Sequence, residues 1–291
     1  MKKIQVDRLM TGIILFGSGI AGLLIISLIG YILVSGVESL SWRFITTVSS
    51  SFSAGGGIRD QIFNSLYLVV LTMILALPVS LGGAIYLNEY AKGSRLAAGL
   101  RMLIDALSSL PSIVVGLFGY LVLVVQLHLG FSLLAGAVVL TIINLPILTR
   151  SIEQALINVP DLQRQAGLGL GMSRWKVITK IVLPMAIPEI VSGAILAIGR
   201  IFWEAAALIY TAGQSSINIS YSDWNPFSPT SFLNPLRPAE TLAVHIWKLN
   251  TEGLVPDAIS VSAGAAVVLI ILIVIFNLLA RWLGKWLANR M

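Results

Sequence analysis

Between Leu9 and Val37 the chain has 29 consecutive residues without Lys, Arg, Asp or Glu. About 20 apolar residues in a helix cross the hydrocarbon core of a bilayer, whereas the apolar region of a cleaved leader runs to roughly 7–15. The run therefore reads as an uncleaved span, about 11–35, behind a basic tail, 1–10. Uncharged runs recur at Gln61–Asn88, Ala106–Thr149 and Ala258–Ala280. In lipid every backbone N–H and C=O must be satisfied within the chain, so such runs fold as helices. With 57% hydrophobic and 11% charged residues and a mean hydropathy of +0.91, no room is left for a separate soluble enzyme.

The 44 residues of Ala106–Thr149 are too many for one span and about right for two, with Gln126-Leu-His-Leu-Gly130 as the turn between them. A fifth span follows the polar stretch after Arg150. The sequence thus predicts one all-α integral membrane domain, 11–291, with six spans at about 11–35, 61–88, 106–126, 131–149, 186–212 and 258–280. Pro78 is expected to kink the second span. The Pro-, Ser- and Asn-rich stretch Gln214–Asp257 reads as a long loop carrying a short interfacial helix at Leu242–Leu249. Arg281, Trp282, Lys285 and Trp286 read as a basic and aromatic anchor after the sixth span.

Lys and Arg orient these spans. A cytoplasmic N-terminus places Lys2, Lys3, Arg8, Lys92, Arg95, Arg101, Arg150, Arg164, Arg174, Lys176, Lys180, Arg281, Lys285 and Arg290 on one side, fourteen of the nineteen. Only Arg43, Arg59, Arg237 and Lys248 fall opposite, and Arg200 lies in the membrane. Both termini and the segment 150–185 are therefore expected in the cytoplasm. Membrane topology accounts for the net charge of +6, so nucleic acid is not expected as a partner; membrane lipid is.

Within 150–185, Asp161 is a cap candidate for a helix expected to fail at Gly167, Gly169 and Gly171. Ser173 can cap a second helix with Trp175, Ile178, Ile181 and Val182 near helical spacing, and Pro184 and Pro188 punctuate the approach to span five. An amphipathic loop lying on headgroups would show the same periodicity. In span five, Arg200 and Glu204 are four residues apart and are expected on one helical face, roughly 21 Å deep. A central Arg costs about 2.5–3.5 kcal/mol on insertion scales, so the pair either locks helices together or lines a water-filled path in which Arg200 binds an anion. Ser108 and Ser112, expected to share a face of span three, are candidate donors to an oxyanion or plain packing positions. With no cysteine, and with His128 and His245 far apart in sequence, no metal site is expected. No G-x(4)-G-K-[ST] loop occurs, so this chain should bind no ATP itself.

Gln165-Ala166-Gly167, Gly171, Ile181 and Leu183-Pro184 hold the offsets of the motif E-A-A-x(3)-G-x(9)-I-x-L-P, and in this the chain resembles the permeases of bacterial ABC importers. GRIFWEAAALIYTAG (Gly199–Gly213), IYLNEYA (Ile85–Ala91), LPSIVVGLFGY (Leu110–Tyr120) and LPILTRSIEQALINVP (Leu145–Pro160) are similar to phrases of the phosphate-specific, PstA type. The family's first Glu is Gln165 here, and Ala205 and Ala207 stand where it has Thr and Pro. The resemblance implies a type I ABC importer permease fold and a coupling-helix loop seated in an ATPase cleft, with Gly171 at its bend and Arg174 and Trp175 near the interface. It also implies a second permease (PstC type), two ATP-binding subunits (PstB type) carrying ATP and Mg, a phosphate-binding protein (PstS type), and a bacterial plasma membrane location. Permeases for sulfate, molybdate or phosphonate would share the loop, and a secondary transporter could use Glu204 as a proton site.

Overall fold

A computed structural model describes residues 2–50, 53–215, 217–253 and 255–288. These residues are helical apart from loops and one isolated bridge between Ser220 and Ser231. The helices are α1 (Lys2–Val37), α2 (Trp42–Thr46), α3 (Arg59–Ile85), α4 (Arg95–Ser108), α5 (Ser112–Gly119), α6 (Leu133–Ile157), α7 (Asp161–Gly169), α8 (Arg174–Val177), α9 (Leu183–Trp203), α10 (Ala206–Thr211), α11 (Leu242–Glu252) and α12 (Ala258–Ala288). Wider π turns at Tyr86–Tyr90, Tyr120–Gln126 and Ile178–Val182 continue α3, α5 and α8. Among the described residues, Val6–Val37, Arg59–Tyr90, Leu133–Ile157, Arg174–Trp203 and Ala258–Gly284 are long and apolar enough to cross a membrane. The pair α4 and α5, bent by 97°, makes a sixth if counted as one broken span.

Several boundaries differ from the expectation. The stretch 106–126 is no single helix: α4 ends at Ser108 and α5 starts at Ser112. Pro111 disfavours helical backbone at Leu110 and supplies no N–H, so the chain turns there. Ser108 and Ser112 consequently stand on two helices at a steep angle, not on one face; Ser108 Oγ donates to the Asp105 carbonyl at 2.8 Å. Span five begins at Arg174, well before Ala186, because α8, its π turn and α9 form one continuous helix. The π turn shifts the hydrogen-bond register, with Leu183 N donating to Ile178 O, and Pro184 enters the helix at that shift. Pro188 likewise lies inside α9, and α6 overruns Thr149 to reach Ile157. The turn at 126–130 is present, with positive φ at His128 and Gly130.

The central layer is α3, α6, α9 and α12, whose buried faces meet through Leu68, Leu140, Ile201, Phe202 and Val268. Close helix approach in lipid depends on small residues. A Cβ at Gly193 would sit 2.0 Å from Ser151 Oγ, and one at Gly116 2.7 Å from Ala207 Cα, so α9 closes on α6 and α10 on α5 only through glycine. Helix α1 packs along α12 and leaves most of its apolar side chains exposed, as a peripheral span does. Helix α11 is a core element, not an interfacial one: Leu242, Val244, His245 and Leu249 are buried between α12 and α3. Arg281 and Trp282 are exposed near the end of α12; the side chains of Lys285 and Trp286, and all of Arg290, lie outside the described residues.

The first turns of α3 grip the long loop. Tyr221 Oη donates to Asp60 Oδ1 at 2.8 Å, Tyr67 Oη to the Leu233 carbonyl at 2.7 Å, and Leu242 N to Ser65 Oγ at 2.9 Å. Arg237, only 2% exposed, donates to Asn64 Oδ1 at 2.8 Å, and Gln61 Nε2 to Glu240 Oε2 at 2.8 Å. His245 Nδ1 lies 3.2 Å and Lys248 Nζ 3.8 Å from Glu240 Oε1. Burial alone would push the Glu240 carboxyl up, but His245, Gln61 and Lys248 more than offset it and hold the group below its ordinary range. A depressed carboxylate stabilises the fold above its unfolded pKa and loses that contribution as pH falls through the folded value. Wild type should therefore unfold at a higher temperature than Glu240→Gln near neutral pH, with the gap closing as the pH falls below the ordinary carboxylate range. A pH series of thermal melts checks this, and an unchanged gap would contradict it.

Candidate functional site

The segment after α6 forms a compact knob. Pro160, not Asp161, occupies the cap of α7; Asp161 is the acid of its first turn, where the helix dipole favours it. The helix passes through Gly167 and stops at Gly169. Gly167 is buried instead of breaking: a Cβ there would lie 2.7 Å from Ile181 Cδ1 and 3.0 Å from Val177, so its absence lets α7 lie on the next limb. Gly171, at φ +78°, donates from its N–H to the Leu168 carbonyl at 2.9 Å, and Met172 N donates to the Gly167 carbonyl at 3.2 Å. That pair of bonds closes a Schellman turn. Ser173 then caps α8, accepting from Lys176 N at 3.4 Å.

The motif residues divide between two faces. Val177, Ile178 and Val182 pack with Ile152, Leu156 and Ala84 in a second core, with Ile181 and Leu183 against it. Gln165, Ala166, Leu170, Arg174 and Trp175 are exposed, Leu170 at 83%. Pro184, half-buried, belongs to the first turn of α9.

Three arginines converge on the π turn Tyr86–Tyr90. Arg164 of α7 donates through Nε and Nη2 to Glu89 Oε1 at 3.3 and 3.1 Å, and also to the carbonyls of Leu156 and Val159 at the end of α6. Arg101 of α4 donates to the Leu87 carbonyl at 3.3 Å and through Nε and Nη2 to Glu153 Oε1 at 2.9 and 2.6 Å. The guanidinium of Arg174 stands 5.4 Å from the Tyr90 ring centre. Beside them Arg150 pairs with Asp105. Sequence reasoning placed IYLNEYA correctly at the end of a span but gave Glu89 no role. Its one signal was a lone acid in an apolar phrase.

At the other end of α9 the expected face is broken. Trp203 ends the helix, and Glu204 takes an extended conformation, φ −70° and ψ 114°, before α10 begins. Buried Glu204 turns back to accept from Ala207 N at 3.4 Å through Oε1, supplying an orphan amide of α10. Arg200 and Glu204 therefore do not form a pair: the Glu204 carboxylate is turned to α10. Arg200 falls instead on a stripe of α9 with exposed Ser192, Leu196 and Trp203. Among the described residues it makes no ion pair or side-chain hydrogen bond.

Residues 80–291 match the family described as the binding-protein-dependent transport system inner membrane component. The chain belongs to this family. It is 46% identical over 285 residues to the probable ABC transporter permease protein YqgI of Bacillus subtilis (strain 168), covering 98% of this chain and 97% of that one. It is 35% identical over 243 residues to the phosphate transport system permease protein PstA 2 of Mycobacterium bovis (strain ATCC BAA-935 / AF2122/97), covering 84% and 76%. Among solved structures, a bacterial alginate ABC transporter with its alginate-bound periplasmic protein aligns at a TM-score of 0.68 and 15% identity over 99% of this chain and 97% of that one. The MetNI methionine ABC transporter, inward facing, aligns at 0.60 and 16% over 78% and 94%. These likenesses establish the fold. The inner membrane component is a multi-pass, all-helical permease subunit of an ABC importer with the type I fold that the resemblance of its motifs implied.

Proposed function

We propose that this permease carries inorganic phosphate across the bacterial plasma membrane by alternating access. The observation that carries the reading is Arg200, a half-buried guanidinium within a span, in line with exposed Ser192, Leu196 and Trp203 on α9, with no carboxylate partner among the described residues. Arg offers a planar set of donors that matches a tetrahedral oxyanion, and relatives named as phosphate permeases give that anion its identity. The stripe of Ser192, Leu196, Arg200 and Trp203 faces a second permease of PstC type, and the path runs between the two halves. Ser112, at the start of α5, offers a further hydroxyl.

Both termini and the knob 150–185 lie in the cytoplasm in this reading. Gln165, Ala166, Leu170, Arg174 and Trp175 seat in a cleft of a PstB-type ATPase, which holds ATP and Mg; Gly167, Gly171, Ile181, Leu183 and Pro184 shape the knob behind them. A PstS-type protein delivers phosphate to the opposite side, where Arg237 and Glu240 fasten the long loop. This chain holds no cofactor. The test is labelled-phosphate uptake into proteoliposomes containing the co-purified complex and its binding protein, with and without ATP and against excess sulfate. ATP-dependent uptake that ignores sulfate is expected. Competition by sulfate would replace phosphate with a wider oxyanion class, which the alanines at 205 and 207 favour by leaving fewer polar groups near Arg200.

A further inference from the structure

We infer that α3 is a second transmission arm, worked through a Glu89–Arg164 joint, which carries movement of the knob to the long loop at the far end of the molecule. The inference rests on the reading of α7 and α8 as the segment the ATPase moves. In that reading the obvious arm is the continuous helix Arg174–Trp203. The geometry adds another. Arg164 leaves α7 and clasps Glu89, which is only 7% exposed and sits on a π turn, a wider and less tightly bonded form of helix found at sites that must give. The same guanidinium holds the carbonyl end of α6, so α7 cannot shift without pulling on either α6 or the π turn. Arg174 on Tyr90 and Arg101 on Leu87 hold the same five residues from α8 and α4.

The far end of α3 is equally committed. At about 1.5 Å per residue, the 27 residues of α3 reach roughly 40 Å, from this joint to the grip on the long loop by Asp60, Gln61, Asn64 and Ser65. The helix continues without a break through Pro78, where the sequence predicts a kink, and a helix fastened by buried polar contacts at both ends transmits displacement as a rod. Glu89 and Arg164 are thus positioning residues: they touch no transported solute, and their contribution is to keep the rod attached to its driver.

Spatial continuity alone does not demonstrate coupling, so the test must separate the two ends. The chain contains no cysteine, so pairs introduced by Phe227→Cys with Ile259→Cys and by Lys180→Cys with Trp282→Cys can carry spin labels in an importer whose other subunits are cysteine-free. The first pair reports the loop against α12, and the second reports the knob against the same helix. With ATP and vanadate both distances are expected to change by about 2 Å or more in the otherwise unmodified importer. Glu89→Gln keeps the shape of the joint and removes its charge. It should leave the knob change in place, abolish the loop change and lower solute uptake per ATP hydrolysed by about tenfold. Arg164→Lys, which keeps the charge without the fork, should separate the two distances in the same way. A loop distance that still responds in both variants overturns the inference. A knob distance that fails to respond in the unmodified importer overturns the coupling reading beneath it.

Discussion

Arg200→Ala is expected to lower phosphate uptake by about a hundredfold while the complex still assembles in the membrane. A hydrogen bond to a charged partner contributes about 1.5–3 kcal/mol, and about 1.4 kcal/mol is a factor of ten, so losing the main anion donor of a path has an effect of this size. The accompanying claim about assembly follows from cost. Arg200 stands in the last turn of α9, not at the centre of the span as expected, so its cost lies below the about 2.5–3.5 kcal/mol of a central Arg, and no described carboxylate offsets it. Removing it should therefore leave insertion and thermal stability unchanged or slightly improved. Arg200→Lys should fall between, since it retains the charge and loses the planar fork. Uptake is measured alongside co-purification of the ATPase. Loss of the assembled complex in Arg200→Ala would show that the residue holds subunits together.

The presence of five long apolar helices was legible because lipid imposes one rule on the backbone, and long uncharged runs report it; the break between α4 and α5 and the early start of span five were not. The turn at 126–130, the cap at Ser173 and the bend at Gly171 were legible for local reasons, as each is set by residues within one turn. Sequence reasoning failed where the hydrogen-bond register depends on distant packing. At the break by Glu204 the chain turns into α10, which closes on α5 at Gly116, and the Glu204 carboxylate accepts from the Ala207 amide exposed by the break. Four-residue spacing gave no warning of it. The same holds for Glu89 and Arg164, 75 positions apart, and for the grip of α3 on Arg237 and Glu240: each is an ordinary charge in sequence and becomes a joint only in the fold. Gly167 was read as a helix breaker on propensity, yet its role is to admit Val177 and Ile181, and propensity yields to packing where a second limb lies this close.

Gly171→Val should uncouple the permease from its ATPase without unfolding the membrane domain. At φ +78° the residue sits in the left-handed region, which costs a β-branched side chain upward of about 1–2 kcal/mol. No neighbour lies within 4 Å of a Cβ placed there, so the penalty is one of backbone conformation alone. The strain can be relieved only by opening the turn that bonds Gly171 to Leu168 and Met172 to Gly167, which swings α7 away from α8. Leu170 and Trp175, exposed on either side of that turn, would then no longer present one surface, and retention of the ATPase should fall by about tenfold or more, as expected for a loss of 1.4 kcal/mol or above. Two controls isolate the cause. Gly171→Asn should be tolerated, because Asn enters the left-handed region readily. Gly169→Ala, in the last turn of α7 with open space around it, should bind the ATPase as wild type does. If Gly171→Asn fails as badly as Gly171→Val, the bend matters through its surface and not through its backbone, and the Schellman turn is not what shapes the knob.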